Sequence, residues 1–129
     1  MEDIRIIGKN CPNIPWQDKP EDYRYPVWRY SDNPITKINH TKNCARIFNS
    51  GIAPYKDGFV GIFRAEHRNG SPQLHIGISK DGLNWDIDDD YIRFVDTEGK
   101  PFQPQYPYDP RLVEIDGVYY IMWCTHFYG

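Results

Sequence analysis

The sequence predicts an all-β fold assembled from repeated four-stranded units, and three observations carry that expectation. From about residue 46 onward, short runs rich in β-branched and aromatic residues alternate with Asp-Gly and Asn-Gly steps. No stretch sustains the apolar period of an amphipathic helix. The run from Asn49 to Arg64 recurs, in its pattern of turn and apolar residues, from Tyr108 to Trp123.

Residues 10–34 come first and are of a different texture. They hold Pro12, Pro15, Pro20, Pro26 and Pro34 of the 11 prolines, interleaved with Trp16, Tyr23, Tyr25, Trp28 and Tyr30. Proline removes a backbone donor and fixes φ, so neither a ladder nor a helix interior suits this segment. So many rings imply an extended arm that packs on something rather than a free tail. The expected organisation is an irregular arm over residues 1–45 and a β region over residues 46–129.

In that β region "RIFNSGIAPY", "FVGIFRAEH", "QLHIGIS" and "LNWDIDDDYIRFV" read as four strands of one antiparallel sheet. They are joined at Asp57-Gly58, Asn69-Gly70 and Asp81-Gly82, residue types that accept positive φ in tight turns. The acidic run of residues 86–90 reads as a solvated turn, since its spacing matches no known calcium loop. Trp85 reads as a packing anchor between strands. His40, His67, His75 and His126 show no mutual spacing of a metal or nucleophile site and read as structural.

The pattern then restarts. The steps Asp57-Gly58 and Asp116-Gly117 lie 59 residues apart (116 − 57), aligning Ala53 with Leu112, Phe59 with Val118 and Ile62 with Ile121. Four-stranded units recurring at about 40–60 residues are the mark of a β-propeller. One full unit and the opening of a second are present, fewer than the roughly four blades that close a propeller. At this offset Asp109 occupies the place of Ser50, at the mouth of the first strand of a unit. Such strands line the central channel, so Asn49, Ser50, Tyr108 and Asp109 are expected to converge on one axial cavity. Taken singly, Asp109 before a proline is ordinary turn chemistry, Asn49 and Ser50 are strand-entry caps, and Arg64 is a surface ion-pair partner.

Composition narrows the function classes. The 129 residues carry a formal net charge of −3, and the pI near 5.7 offers no basic footprint for nucleic acid. Mean hydropathy is −0.71, and no run approaches the roughly 20 apolar residues of a membrane-spanning helix. The charged "MEDIRIIGKN" start does not resemble a secretory signal, and Cys11, Cys44 and Cys124 lack metal or disulfide spacing. A cytoplasmic protein with free thiols, acting on a small molecule or another protein, is the expectation.

The segments "NCARIFNSGIAPYKDGFVGIFRAE", "QLHIGISKDGLNWDI" and "YDPRLVEIDGVYYIMWC" together resemble the β-mannoside phosphorylases of glycoside hydrolase family 130. The likeness is to the branch acting on mannooligosaccharides and mannosyl-N-acetylglucosamine, and it covers residues 24–129. It implies a five-bladed propeller, of which this chain supplies the N-terminal one to two blades. It implies cleavage of β-mannosides by inorganic phosphate with inversion, giving α-mannose 1-phosphate, and no cofactor. Asp109 would be the general acid, while Asn49, Ser50 and Arg64 would hold the mannosyl ring and Tyr108 would flank the acid. A general acid must hold its proton near neutral pH; burial of Asp109 in the channel, with Arg111 pointing outward, would meet that need. The family's phosphate-binding basic residues lie mostly in later blades, so residues 1–129 alone are expected to be inactive. A β-mannoside hydrolase on the same fold and a non-catalytic sugar-binding piece are the alternatives. The aromatic arm is a candidate contact for a homo-oligomer.

Overall fold

The computed structural model describes residues 17–125. In chain order the strands are β1 (Cys44–Tyr55), β2 (Gly58–His67), β3 (Pro72–Ser79) and β4 (Asp86–Ile87), then β5 (Phe94–Val95), β6 (Pro101–Phe102), β7 (Tyr108–Ile115) and β8 (Val118–Cys124). Every pairing among them is antiparallel, in three sheets ordered β1-β2-β3-β4, β5-β6 and β7-β8. The all-β expectation holds across the described residues.

The first sheet forms where the alternation placed it, with one strand differing. "LNWDIDDDYIRFV" is not a single strand: only Asp86–Ile87 pairs with β3, and Phe94–Val95 pairs with β6 instead. The regular ladder with β3 ends at Ile87, and the Asp89 carboxylate turns to Lys42. Asp89 accepts from the Lys42 backbone at 2.9 Å and pairs with its ammonium at 2.6 Å. Beyond β4, single bonds from Asp88 N to Ile76 O (2.9 Å) and from Ile92 N to Leu74 O (2.8 Å) still tie the segment to β3.

β2 lies at the centre of the fold, and its residues 58–63 are all buried. One face of the sheet, carrying Ala53, Val60 and Ile62, receives the inner side of the β7–β8 hairpin with Leu112, Tyr119 and Ile121. On the other face Trp85 sets its ring edge-on to Phe63, centroids 5.0 Å apart, and donates Nε1–H to Gly82 O at 3.0 Å. Trp85 is thus the anchor its sequence position suggested. Ile62 and Leu74 are fully buried; burying such a side chain stabilises by about 1.5–3 kcal/mol.

The two hairpins repeat each other, at a corrected offset. The β1–β2 turn closes at Tyr55↔Gly58 and the β7–β8 turn at Ile115↔Val118, so the offset is 60 (115 − 55) rather than 59. The two Asp-Gly steps are not equivalent. Asp116 and Gly117 both take positive φ, 52° and 81°, but in the first hairpin Lys56 carries it, at 52°. Gly58 instead opens β2, where a Cβ would lie 2.2 Å from the Ser79 carbonyl oxygen. Close approach, not turn geometry, requires that glycine.

Residues 17–43 form no strand. The arm's rings pack on one another: Tyr23 meets Tyr25 at 5.5 Å and Trp28 at 5.0 Å, both edge-on, and its hydroxyl donates to Val27 O. Trp16, Cys11 and His126 lie outside the described residues. Cys44 and Cys124 are free thiols, the first buried and the second exposed.

Candidate active site

Asn49 and Asp109 are brought together by matching irregularities in two strands. β1 shifts register between Ile47 and Ser50, and β7 between Tyr108 and Arg111; each spends three residues against two on its partner. A bulge of this kind bends the strand and re-aims its side chains. Counted back from the turns at the offset of 60, Asp109 falls at Asn49 and not at Ser50, with the β7 bulge itself set one residue further along than the β1 bulge. Asp109 holds φ = 50°, a left-handed value rare for a residue with a Cβ, and such strain gathers at functional sites.

A close crossing of β1 and β7 makes the contact possible. An added Cβ on Gly51 would stand 2.8 Å from Leu112 N and 3.0 Å from the Arg111 carbonyl carbon. The absence of a side chain lets β7 cross directly over the β1 backbone, two residues from each bulge centre.

One oxygen of Asp109 takes both contacts. Asn49 Nδ2 donates to Oδ1 at 2.9 Å and Arg64 Nη1 donates to the same Oδ1 at 3.2 Å. Oδ2 accepts nothing from the described residues, leaving it available to a ligand. The Asp109 side chain is 31% exposed and that of Arg64 21%, so the pair is partly dehydrated yet open. Arg64 reaches inward from β2 with its guanidinium carbon 5.6 Å from the Tyr108 ring centre. Tyr108 thus borders the guanidinium that engages the carboxylate.

Two neighbouring side chains are engaged elsewhere. Arg111 does turn away, donating Nη1–H to the Pro110 and Asp109 carbonyl oxygens at 3.1 and 3.4 Å. The carboxylate is nonetheless not free of cations, because Arg64 occupies it. Ser50 does not reach Asp109; its hydroxyl donates to Phe48 O at 3.1 Å and secures the β1 bulge. Its lone pairs remain able to accept from a ligand.

Phe48 was missed by sequence reasoning. Its ring centre lies 5.1 Å from the Arg64 guanidinium carbon, but an aromatic residue in a strand carries no signal that separates this from core packing. His67 and His75, read from sequence as structural, bring their Nε2 atoms to 2.8 Å across the β2–β3 hairpin. His75 is buried, and its Nδ1–H donates to Asp88 O at 2.8 Å, which leaves Nε2 to face His67. Burial, and next the neighbouring His75 ring, lower the His67 pKa. The Asp81 carboxyl is held far below the usual carboxylate range, first by the backbone N–H of Asn84, then by the Asn84 side chain and Leu83 N–H. It caps the turn that delivers Trp85. Among the described residues no three His, Cys, Asp or Glu side chains converge as a metal site.

What this arrangement can do is hold one carboxyl oxygen rigidly and present the other to a bound molecule, beside a guanidinium fork. Residues 8–128 match the model of a family described as beta-1,4-mannooligosaccharide phosphorylase, glycoside hydrolase family 130. The chain is also similar to a Beta-1,4-mannooligosaccharide phosphorylase of Ruminococcus albus, 40% identical over 128 residues. That match covers 95% of this chain and 38% of the relative, so the chain spans well under half of the relative's length. The match over residues 8–128 shows that the chain belongs to glycoside hydrolase family 130.

Proposed function

We propose that this chain is the N-terminal part of an inverting β-mannoside phosphorylase in which Asp109 is the general acid. The observation that carries the reading is the carboxylate itself, with Oδ1 fixed by Asn49 and Arg64 and Oδ2 open. In the reaction an oxygen of inorganic phosphate attacks C1 of the mannosyl unit from the face opposite the leaving group. The C1–O glycosidic bond breaks, its electron pair stays on the leaving oxygen, and the proton of Asp109 passes to that oxygen. In some members of the family this transfer runs through a hydroxyl of the bound mannose. The products are α-mannose 1-phosphate and the shortened saccharide. An inverting hydrolase needs a second carboxylate to activate water; phosphate is already an anionic nucleophile, so one acid suffices. Asn49, Ser50, Arg64 and Tyr108 are assigned to the mannosyl ring.

The larger fold of this reading is a five-bladed propeller, and the repeat geometry supports it. At the offset of 60, Val113, Ile115, Val118, Tyr120 and Met122 correspond to the face of the first sheet that β7–β8 covers. On the hairpin those residues are 39–57% exposed, an apolar face suited to a further unit of the same kind.

Product analysis of the full-length protein on mannooligosaccharides tests the function. Mannose 1-phosphate should form only with phosphate present, and Asp109→Asn should abolish it. Free mannose released at equal rate without phosphate would instead identify a hydrolase. Normal phosphorolysis by Asp109→Asn would remove Asp109 from the acid's role.

A further inference from the structure

We infer that Phe48 is the positioning residue for Arg64, holding its guanidinium plane so that one nitrogen engages Asp109 and the rest of the fork faces the sugar. Arg64 makes a single side-chain hydrogen bond among the described residues, from Nη1 to Asp109 Oδ1 at 3.2 Å. Its Nε is buried and has no partner there. A guanidinium carries its donors in a rigid planar fork, and one bond through one nitrogen fixes a point rather than a plane. The plane must come from packing. Phe48 supplies it at 5.1 Å, with Tyr108 at 5.6 Å, both within the distance at which an aromatic face attracts a cation.

The backbone around Phe48 is built to aim that ring. Phe48 and Asn49 are the two residues of β1 left without a ladder partner between Ile47↔Ala65 and Ser50↔Phe63. The same bulge therefore directs Asn49 to the carboxylate and Phe48 to the arginine, and the Ser50 hydroxyl locks it by donating to the Phe48 carbonyl. Phe48 is 41% exposed, so its ring is not a core element whose loss would empty a cavity.

The inference rests on the reading that Arg64 and Asp109 face the mannosyl unit. Its test is a double-mutant cycle in the full-length protein, read as kcat/KM for phosphorolysis and as the dissociation constant for mannobiose without phosphate. Phe48→Ala should weaken both by about tenfold, the scale of a partly desolvated cation–aromatic contact. In an Arg64→Gln background the same substitution should change them less than twofold, because the effect passes through Arg64. Phe48→Tyr should restore wild-type values and Phe48→Leu, of similar bulk without the aromatic face, should not. Equal losses in the two backgrounds, or an intact Phe48→Leu, would overturn the assignment. Sugar binding needs no turnover, so an absence of mannose 1-phosphate would refute the phosphorylase and leave this cycle readable.

Discussion

Substituting Gly51 by alanine addresses the contact on which the site depends. The new methyl would lie 2.8 Å from Leu112 N, 3.0 Å from the Arg111 carbonyl carbon and 3.1 Å from Arg111 Cα, where ordinary contact begins at 3.4 Å. All three atoms belong to the β7 backbone, so no side-chain rotation relieves the clash. β7 must retreat by about 0.6 Å (3.4 − 2.8), or β1 must yield by as much. Overpacking of this kind costs about 1–3 kcal/mol, a loss that lowers the melting temperature by several degrees. The same retreat, carried to Asp109, stretches its 2.9 Å bond with Asn49 toward the 3.5 Å at which a hydrogen bond is no longer made. Since a misplacement of about 1 Å can cost a hundredfold in rate, kcat/KM of the full-length protein should fall by about tenfold or more. Gly70→Ala is the control: its φ of 79° strains any alanine, but nothing lies within 4 Å of the added Cβ. It should cost about 1–2 kcal/mol of stability and leave sugar binding alone. If Gly51→Ala binds mannobiose as well as Gly70→Ala does, the crossing does not position Asp109.

His67 sets a pH dependence of stability. The folded-state pKa of His67 lies below its ordinary value of 6.5, so the unfolded chain takes up the proton first. Its contribution to stability is complete above about pH 6.5 and is lost as pH falls through the lower folded-state value. Denaturation midpoints measured from pH 8 to pH 5 should show this decline, and His67→Gln should flatten it; an unchanged slope in that variant would disprove the origin. Tyr25 and Val27 of the arm are exposed, which fits a contact with a second subunit. Deleting residues 10–34 should then lower the assembly mass measured by light scattering, and an unaltered mass would rule the arm out.

How much of this was legible in the sequence differs from residue to residue. Alternation and Asp-Gly punctuation marked β1, β2, β3, β7 and β8, because a strand with one buried face must write its period into the side chains. The fourth run failed because apolar content alone does not show that Phe94–Val95 will pair with Pro101–Phe102 instead of β3. Asn49, Arg64, Tyr108 and Asp109 were legible as a group through the repeat and the family motifs. Ser50 was assigned to Asp109's equivalent position by a turn alignment that the backbone does not follow. Phe48 left no trace, since an aromatic residue in a strand reads the same whether it fills a core or braces an arginine.

Composition, strand periodicity and turn spacing thus set the all-β class and the repeat, properties carried by local chain chemistry, while the family motif singled out Asp109 as the candidate acid. Only the tertiary structure decided which hairpin positions are equivalent, that Arg64 rather than Arg111 meets the carboxylate, and which of its oxygens is left open. Those outcomes depend on two bulges and one backbone crossing at Gly51, where the register of separate strands, not the preference of any single residue, determines what touches what.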